Sequence, residues 1–154
     1  LTGHLVLSTL HTNSAVGAIT RLEDMGVEAF LLSSTLLGVI SQRLVRKLCP
    51  ECKSVTQLDV EQVNGFEIKG DDVIYQANGC PSCLQTGFRG RTGIYEMIEI
   101  DDTLSTMIHD GVGQSKIERY CRTRSRSLRE DGIRKVVLGD TTLDEVLRVT
   151  RDGG

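Results

Sequence analysis

Apolar residues fall in changing patterns along the chain. From His4 to Leu10 (His-Leu-Val-Leu-Ser-Thr-Leu) they run almost unbroken, the pattern of a strand buried on both faces in a parallel sheet. After Asn13 and Ser14, either of which can cap a helix, Val16, Ile19 and Leu22 share one helical face, and Gly26 marks its stop. Glu28 to Lys47 reads as further helix, apolar first and ending in Arg43, Arg46 and Lys47, cations that suit a last turn. From Cys49 the texture turns polar, and Asp72–Gln76 (Asp-Val-Ile-Tyr-Gln) is the best strand before Cys83. A turn after Phe88 leads into the β-rich run Thr92–Ile100.

The remainder reads as helices. Ser115 to Glu118, Ser127 to Glu130 and Thr142 to Glu145 each match the capping box, and Asp101 or Asp102 can cap a fourth helix. No internal repeat and no low-complexity tract is found. Three parts result: the tail of an α/β unit (1–48), a Cys-bounded insert (49–83), and a returning strand with helical tail (84–154).

Composition adds bounds. The 154 residues, 39% hydrophobic and 25% charged, describe one compact domain or two small ones and exclude a disordered chain. A formal net charge of −3 provides no basic field, so duplex nucleic acid is a poor default partner. The longest apolar stretch, Ala29–Ile40, is broken by Ser33, Ser34 and Thr35 and falls short of the ~20 residues that cross a bilayer. No export signal is seen. The chain opens on Leu1 at the edge of a strand, so it is expected to be a piece of a larger protein.

Four of the five cysteines form two pairs, Cys49-Pro50-Glu51-Cys52 and Cys80-Pro81-Ser82-Cys83, with no Cys between them. Each Cys-x-x-Cys turn aims two thiolates at one point, and two such turns complete a tetrahedral sulfur shell that suits Zn²⁺. The spacer exceeds the commonest ribbon spacing, at little cost in closure entropy. A redox pair, a disulfide pair and unrelated thiols are the competing readings; the doubled motif and the lack of an export signal disfavour them. A site filled by four protein ligands keeps no position for water, so its role is read as structural. Cys121, alone in a helical segment, reads as a buried or spare thiol.

His11, Thr12 and Asn13 follow the predicted first strand, and ligands of open parallel sheets sit beyond such strand ends. Sensing a phosphate is one reading of them; a helix cap with a surface histidine is the other. His4 lies seven residues earlier, roughly 23 Å away along an extended strand, so it belongs to the opposite edge, structural or at a subunit boundary. His109 reads as surface. No G-x-x-x-x-G-K-[ST] occurs; Gly111–Lys116 has the wrong spacing. Nor does any Ser-His-Asp or paired-carboxylate arrangement stand out. Arg119, Arg122, Arg124 and Arg126 form the main basic concentration. They read either as a site for phosphate, acidic lipid or acidic protein, or as a solvated surface balanced by Glu118, Glu130 and Asp131.

Taken together, several stretches resemble the secretion traffic ATPases. Thr2-Gly3-His4-Leu5-Val6-Leu7-Ser8-Thr9-Leu10-His11-Thr12-Asn13 is similar to their histidine box, and Gln42–Cys52 to the segment that follows it. Cys80–Cys83 with Gly87–Glu96 is similar to the second zinc knuckle and returning strand; Ser127–Gly132 and Thr141–Val146 resemble the C-terminal helices. Leu31–Val39 looks more like the type II secretion branch than the neighbouring type IV pilus assembly ATPases.

The resemblance implies an α/β fold: the C-terminal portion of a RecA-like ATPase core (1–48), an inserted tetracysteine zinc subdomain (49–83) and a helical C-terminal tail (84–154). It implies a homo-hexamer, cytoplasmic and peripheral to the inner membrane, that meets inner-membrane components of the secretion platform without a transmembrane segment of its own. ATP hydrolysis there drives pseudopilus assembly and protein export. His11 becomes the leading catalytic residue, near the γ-phosphate, with Thr12 beside the nucleotide; Cys49, Cys52, Cys80 and Cys83 hold structural Zn²⁺. The phosphate-binding loop and the Mg²⁺-binding acidic strand of the family precede the histidine box. They would therefore lie before Leu1, and the isolated chain is expected to be inactive. A non-enzymatic zinc module and a thiol redox protein are the alternative functions.

Overall fold

The computed structural model describes residues 3–57, 68 and 72–151. They divide into two compact units, one of Leu1–Val39 with Ile98–Cys121 and one of Ile40–Met97 with Arg122–Gly154. The protein is a mixed α/β chain.

The first unit is built on helices. Helix α1 (Ala15–Asp24) starts where Ser14 Oγ accepts the Gly17 amide at 3.0 Å, which settles the cap on Ser14, and Gly26 turns the chain after it at φ +87. Helix α2 (Ala29–Thr35) packs on α3 (Asp102–His109), with Ser105 Oγ donating to the Ser33 carbonyl at 2.7 Å. Asp101 caps α3 by accepting the Leu104 amide at 2.8 Å and takes the Tyr120 hydroxyl at 2.7 Å from α4 (Gln114–Arg122). Val16, Ile19, Leu32, Ile98, Leu104, Ile108 and Ile117 form the core, and Cys121 is buried within it.

Two expectations fail in the residues leading to and through this unit. His4–Leu10 forms no strand: Leu5, Val6 and Leu7 are 73%, 79% and 87% exposed. Among the described residues no strand pairs with this segment, and a lone extended chain has no ladder to satisfy its amides. The continuous helix predicted from Glu28 to Lys47 is instead α2 followed by strand β1 (Gly38–Leu48). Gly38 interrupts the helix, and from Val39 the burial alternates: Val39, Ser41, Arg43 and Val45 turn inward while Ile40, Gln42 and Leu44 face out. That period of two outweighs the helical reading.

Strands β1 and β4 (Phe88–Glu99) form a two-stranded sheet. The Ile100 amide bonds the Leu37 carbonyl beyond one end of the pair, and the Cys49 amide bonds the Gly87 carbonyl beyond the other, so the strands run antiparallel. The predicted turn after Phe88 lies inside β4, with Gly90 at φ +77.

In the second unit β2 (Ser54–Thr56) and β3 (Ile74–Gln76) pair antiparallel, Val55 opposite Tyr75. Helix α5 (Leu128–Val137) has the complete capping box of Ser127 and Glu130. Helix α6 (Leu143–Thr150) has half of its predicted box: Thr142 Oγ1 accepts the Glu145 amide, but the Glu145 carboxylate turns to Arg46 and Arg148. The box predicted at Ser115 does not form, because α4 already begins at Gln114 and Glu118 accepts from the Gln114 side chain at 2.8 Å. Gly132 lets α5 close on α6, since a Cβ there would stand 2.4 Å from Val146 Cγ1. Ile74, Ile133, Val136, Leu143 and Val146 make one core cluster; Val45, Ile94 and Leu128 make another.

Candidate metal centre

The two Cys-x-x-Cys turns sit where β1 ends and just before β4 begins. Leu48 closes β1, and the next residue, Cys49, is fixed by its amide on the Gly87 carbonyl at 2.9 Å. The chain then folds back, with the Lys53 amide on the Cys49 carbonyl at 3.0 Å. The second turn is a short 3-10 helix, Pro81–Cys83, with Pro81 at its start, where a missing N–H costs nothing. Leu84 and Gln85 follow in the left-handed region, at φ 53 and φ 62, and bring the Gln85 amide to the Cys80 carbonyl at 2.9 Å.

These turns bring the four sulfurs together. All lie within 4.8 Å of one another. Cys49 and Cys80 Sγ are 3.9 Å apart, Cys52 and Cys83 Sγ 3.8 Å, and Cys80 and Cys83 Sγ 3.7 Å. Four thiolates at ~2.3 Å from a tetrahedral centre are separated by about 3.8 Å. The spacing therefore fits a metal, and it is far from the ~2.05 Å of a disulfide. None of the four is in a disulfide.

The backbone supplies a second layer. The Gly79 amide reaches Cys52 Sγ at 3.3 Å, and the Cys80 and Gly87 amides reach Cys83 Sγ at 3.2 Å each. Such donors suit sulfur that carries charge. Both glycines are forced: Gly79 (φ +118) has no room for a Cβ, which would stand 2.8 Å from the Gln85 carbonyl oxygen, and at Gly87 (φ +75) it would meet Ala77 Cβ at 2.6 Å. Burial opposes a charged Cys83, but the Cys80 and Gly87 amides with the neighbouring thiols outweigh it and bring the thiol down to about 6. At Cys52 burial prevails over the single Gly79 amide and pushes the thiol up to about 11. Asn78 braces the first turn, donating to the Cys52 carbonyl at 2.8 Å and Ser54 Oγ at 2.9 Å.

The other expected site residues lie elsewhere. His11 is exposed, three residues before the Ser14 cap of α1, and Thr12 Oγ1 donates to the Ser14 carbonyl at 3.1 Å. Both belong to the first unit; the cysteines belong to the second. His4 and His109 are exposed. Arg119, Arg124 and Arg126 are exposed, and Arg122 pairs with the buried Glu96. Arg122, Arg124 and Arg126 line a cavity of about 850 Å³ together with Asp72 and Glu130. Residue-by-residue reading of the sequence missed Gly79 and Gly87 as donors to sulfur. The signal was there, in a glycine directly before the second Cys pair and another four residues after it.

A family model described as "Type II/IV secretion system protein" matches residues 1–148. The chain is 53% identical over 154 residues to the "Type II secretion system ATPase E" of Vibrio cholerae serotype O1, an alignment covering 99% of this chain and 31% of that protein. Its identity to the "Type II secretion system protein E" of Pseudomonas aeruginosa is 54%, with the same coverage. To the "Putative type II secretion system protein E" of Escherichia coli K12 it is 51% over 151 residues, 97% of this chain and 31% of the relative. The chain thus spans about a third of the length of these relatives.

Proposed function

Since this chain belongs to the type II/IV secretion system protein family, we propose that it is the C-terminal part of a RecA-like ATPase that drives type II secretion. The observation that carries this reading is identity above 50% along nearly the whole chain to relatives named for that system, one of them as an ATPase. Those names favour the secretion branch over type IV pilus assembly.

In this reading residues 1–48 end the ATPase core, 49–83 form a zinc subdomain and 84–154 return to the core and add the helical tail. His11 stands near the γ-phosphate of ATP and Thr12 beside the nucleotide. The remainder of the parent protein supplies the phosphate-binding loop and the Mg²⁺ ligand, so the isolated chain hydrolyses no ATP. The parent is a hexamer on the cytoplasmic side of the inner membrane that meets the secretion platform there and couples hydrolysis to pseudopilus assembly.

Cys49, Cys52, Cys80 and Cys83 bind zinc, whose contribution is a fixed four-way crosslink. The sulfur spacing and the two glycine cradles support this. All four positions around the ion belong to thiolates, so the centre shapes the end of the β1–β4 ribbon and takes no part in chemistry.

The test is ATP hydrolysis by the full-length parent protein with His11→Ala. The expected result is a loss of about 100-fold, the usual worth of a positioned proton-transfer or phosphate-contacting group, with zinc content unchanged. Hydrolysis at the normal rate overturns the role of His11. Absence of ATPase activity in the unaltered parent, with tight salt-dependent nucleic-acid binding, turns the reading to a non-enzymatic zinc module.

A further inference from the structure

The sequence holds two Asn-Gly pairs, Asn64-Gly65 and Asn78-Gly79, and the second lies directly before Cys80. In such a pair the asparagine side chain condenses readily with the main chain, because no Cβ on the following residue obstructs the attack of its nitrogen. The fold needs both members of the second pair. Gly79 stands at φ +118, where an added Cβ would lie 2.8 Å from the Gln85 carbonyl oxygen. Asn78 has to present an N–H, since the Cys52 carbonyl that it meets at 2.8 Å only accepts.

Both reacting groups are held. The Gly79 amide donates to Cys52 Sγ at 3.3 Å. Asn78 Nδ2 donates to the Cys52 carbonyl and, at 2.9 Å, to Ser54 Oγ, while Asn78 Oδ1 accepts from Gln76 Nε2 at 3.3 Å. Cys52 thus takes the attacking nitrogen on its sulfur and the leaving nitrogen on its carbonyl. Asn78 is nevertheless exposed, so water reaches it.

We propose that Asn78 is a deamidation site locked by the metal centre: the filled centre keeps the Asn78-Gly79 pair from cyclising, and loss of the metal releases it. The proposal rests on the zinc reading above, because the ion is what fixes Cys52 in place. Three hydrogen bonds must break before the ring can close, those from Gly79 to Cys52 and from Asn78 to Cys52 and Ser54. At the usual net worth of such bonds the locked pair reacts about ten- to 100-fold more slowly than the free one.

The chemistry needs only water. The Gly79 nitrogen gives its proton to solvent and bonds to Asn78 Cγ. The Cγ–Nδ2 bond breaks, and Nδ2 leaves as ammonia after taking up a proton. Water then opens the cyclic imide at one of its two carbonyls, leaving either aspartate or its isomer linked through the side chain. Neither product restores the original contacts. Aspartate sets carboxylate oxygens against the Cys52 carbonyl, where a donor stood. The isomer brings the residue 78 Cβ into the main chain and carries the Gly79 amide away from Cys52 Sγ. The chain therefore keeps a lasting mark of having lost its metal.

The experiment incubates the full-length parent protein at neutral pH, zinc-loaded and chelator-stripped. Peptide mass spectrometry follows conversion at residue 78 and separates it from Asn64-Gly65. Conversion is expected to be about ten- to 100-fold faster in the stripped protein. Equal rates overturn the proposal. Ser54→Ala keeps all four ligands and removes one acceptor from Asn78. It is expected to raise the rate in zinc-loaded protein severalfold, and an unchanged rate overturns the clamp. Asn78→Asp, made directly, is expected to weaken zinc binding about tenfold, and unaltered affinity overturns the lasting mark. Metal analysis separates this idea from the reading beneath it. Protein that takes up no zinc defeats the zinc assignment; the clamp is then judged by comparing folded with urea-unfolded protein, where equal rates overturn it.

Discussion

Glu145 holds Arg46 at two points, taking the guanidinium on Oε1 at 2.7 Å and the backbone amide on Oε2 at 3.0 Å, across 99 residues of sequence. Arg148, one turn further along α6, bonds both oxygens as well. Burial works against the charged carboxylate, but these donors outweigh it and hold the group at about 2. A depressed carboxylate contributes stability that is complete above its ordinary value of 4.5 and is lost as pH falls through the folded value. Denaturant midpoints are therefore expected to decline between about pH 5 and pH 2. In Glu145→Gln this part of the slope flattens.

Truncating the same residue removes charge-assisted bonds from a side chain that is 3% exposed. The arginines it leaves behind are about half open to water and rehydrate. Glu145→Ala is thus expected to cost about 2 kcal/mol, below the range for a fully buried pair, as measured by chemical denaturation.

Chelation of the metal is expected to loosen both Cys-x-x-Cys turns and the β2–β3 pair, and to leave α3 and α4 protected. A ladder of three residue pairs is not stable alone. Hydrogen exchange at residues 49–57 and 72–87, compared with 102–122, checks this. Unchanged exchange in the first set refutes it.

At Gly87 a methyl group meets Ala77 and the φ of +75 becomes strained. Gly87→Ala is expected to weaken zinc binding by about 10- to 100-fold, the scale on which second-layer partners act, in a competition titration with a chromophoric chelator.

Ser127→Ala removes the side-chain half of the α5 capping box, because the Glu130 amide loses its acceptor and the Glu130 carboxylate loses the hydroxyl, while the bond from the residue 127 amide to that carboxylate is kept. A loss of about 1 kcal/mol is expected by thermal or chemical denaturation, with zinc content unaffected.

The helix start at Ser127, and those at Ser14 and Asp101 to within one residue, were legible because capping is a contact over three residues, and sequence spacing specifies such contacts; the same motif misled at Ser115, where the helix already begins at Gln114. The Cys set was legible for the same reason, each pair being one turn. The β1 strand was misread since Arg43, Arg46 and Lys47 suit the end of a helix as well as an exposed edge. The alternation that decides the matter depends on what Val45 packs against, namely Ile94 and Leu128, far away in sequence. His4–Leu10 failed for a related reason: its composition describes a strand, but pairing needs a partner. The tie from Glu145 to Arg46 was hidden by the capping motif, which assigned that carboxylate to Thr142.

The short β2–β3 ladder has a consequence for how this region tolerates changes in length. Ser54 pairs with Gln76 and Thr56 with Ile74, so the chain is drawn together a few residues above the sulfurs. The sulfurs therefore do not sense the contour length of what lies beyond Thr56 and before Ile74. Added length there carries only the slow logarithmic cost of chain closure, about 0.6 kcal/mol per doubling, provided that Ile68 keeps its packing against the Ile74 and Ile133 cluster. Insertions and deletions between relatives, and an inserted reporter sequence in the laboratory, are best accommodated there, with the geometry of the four thiolates left as it is.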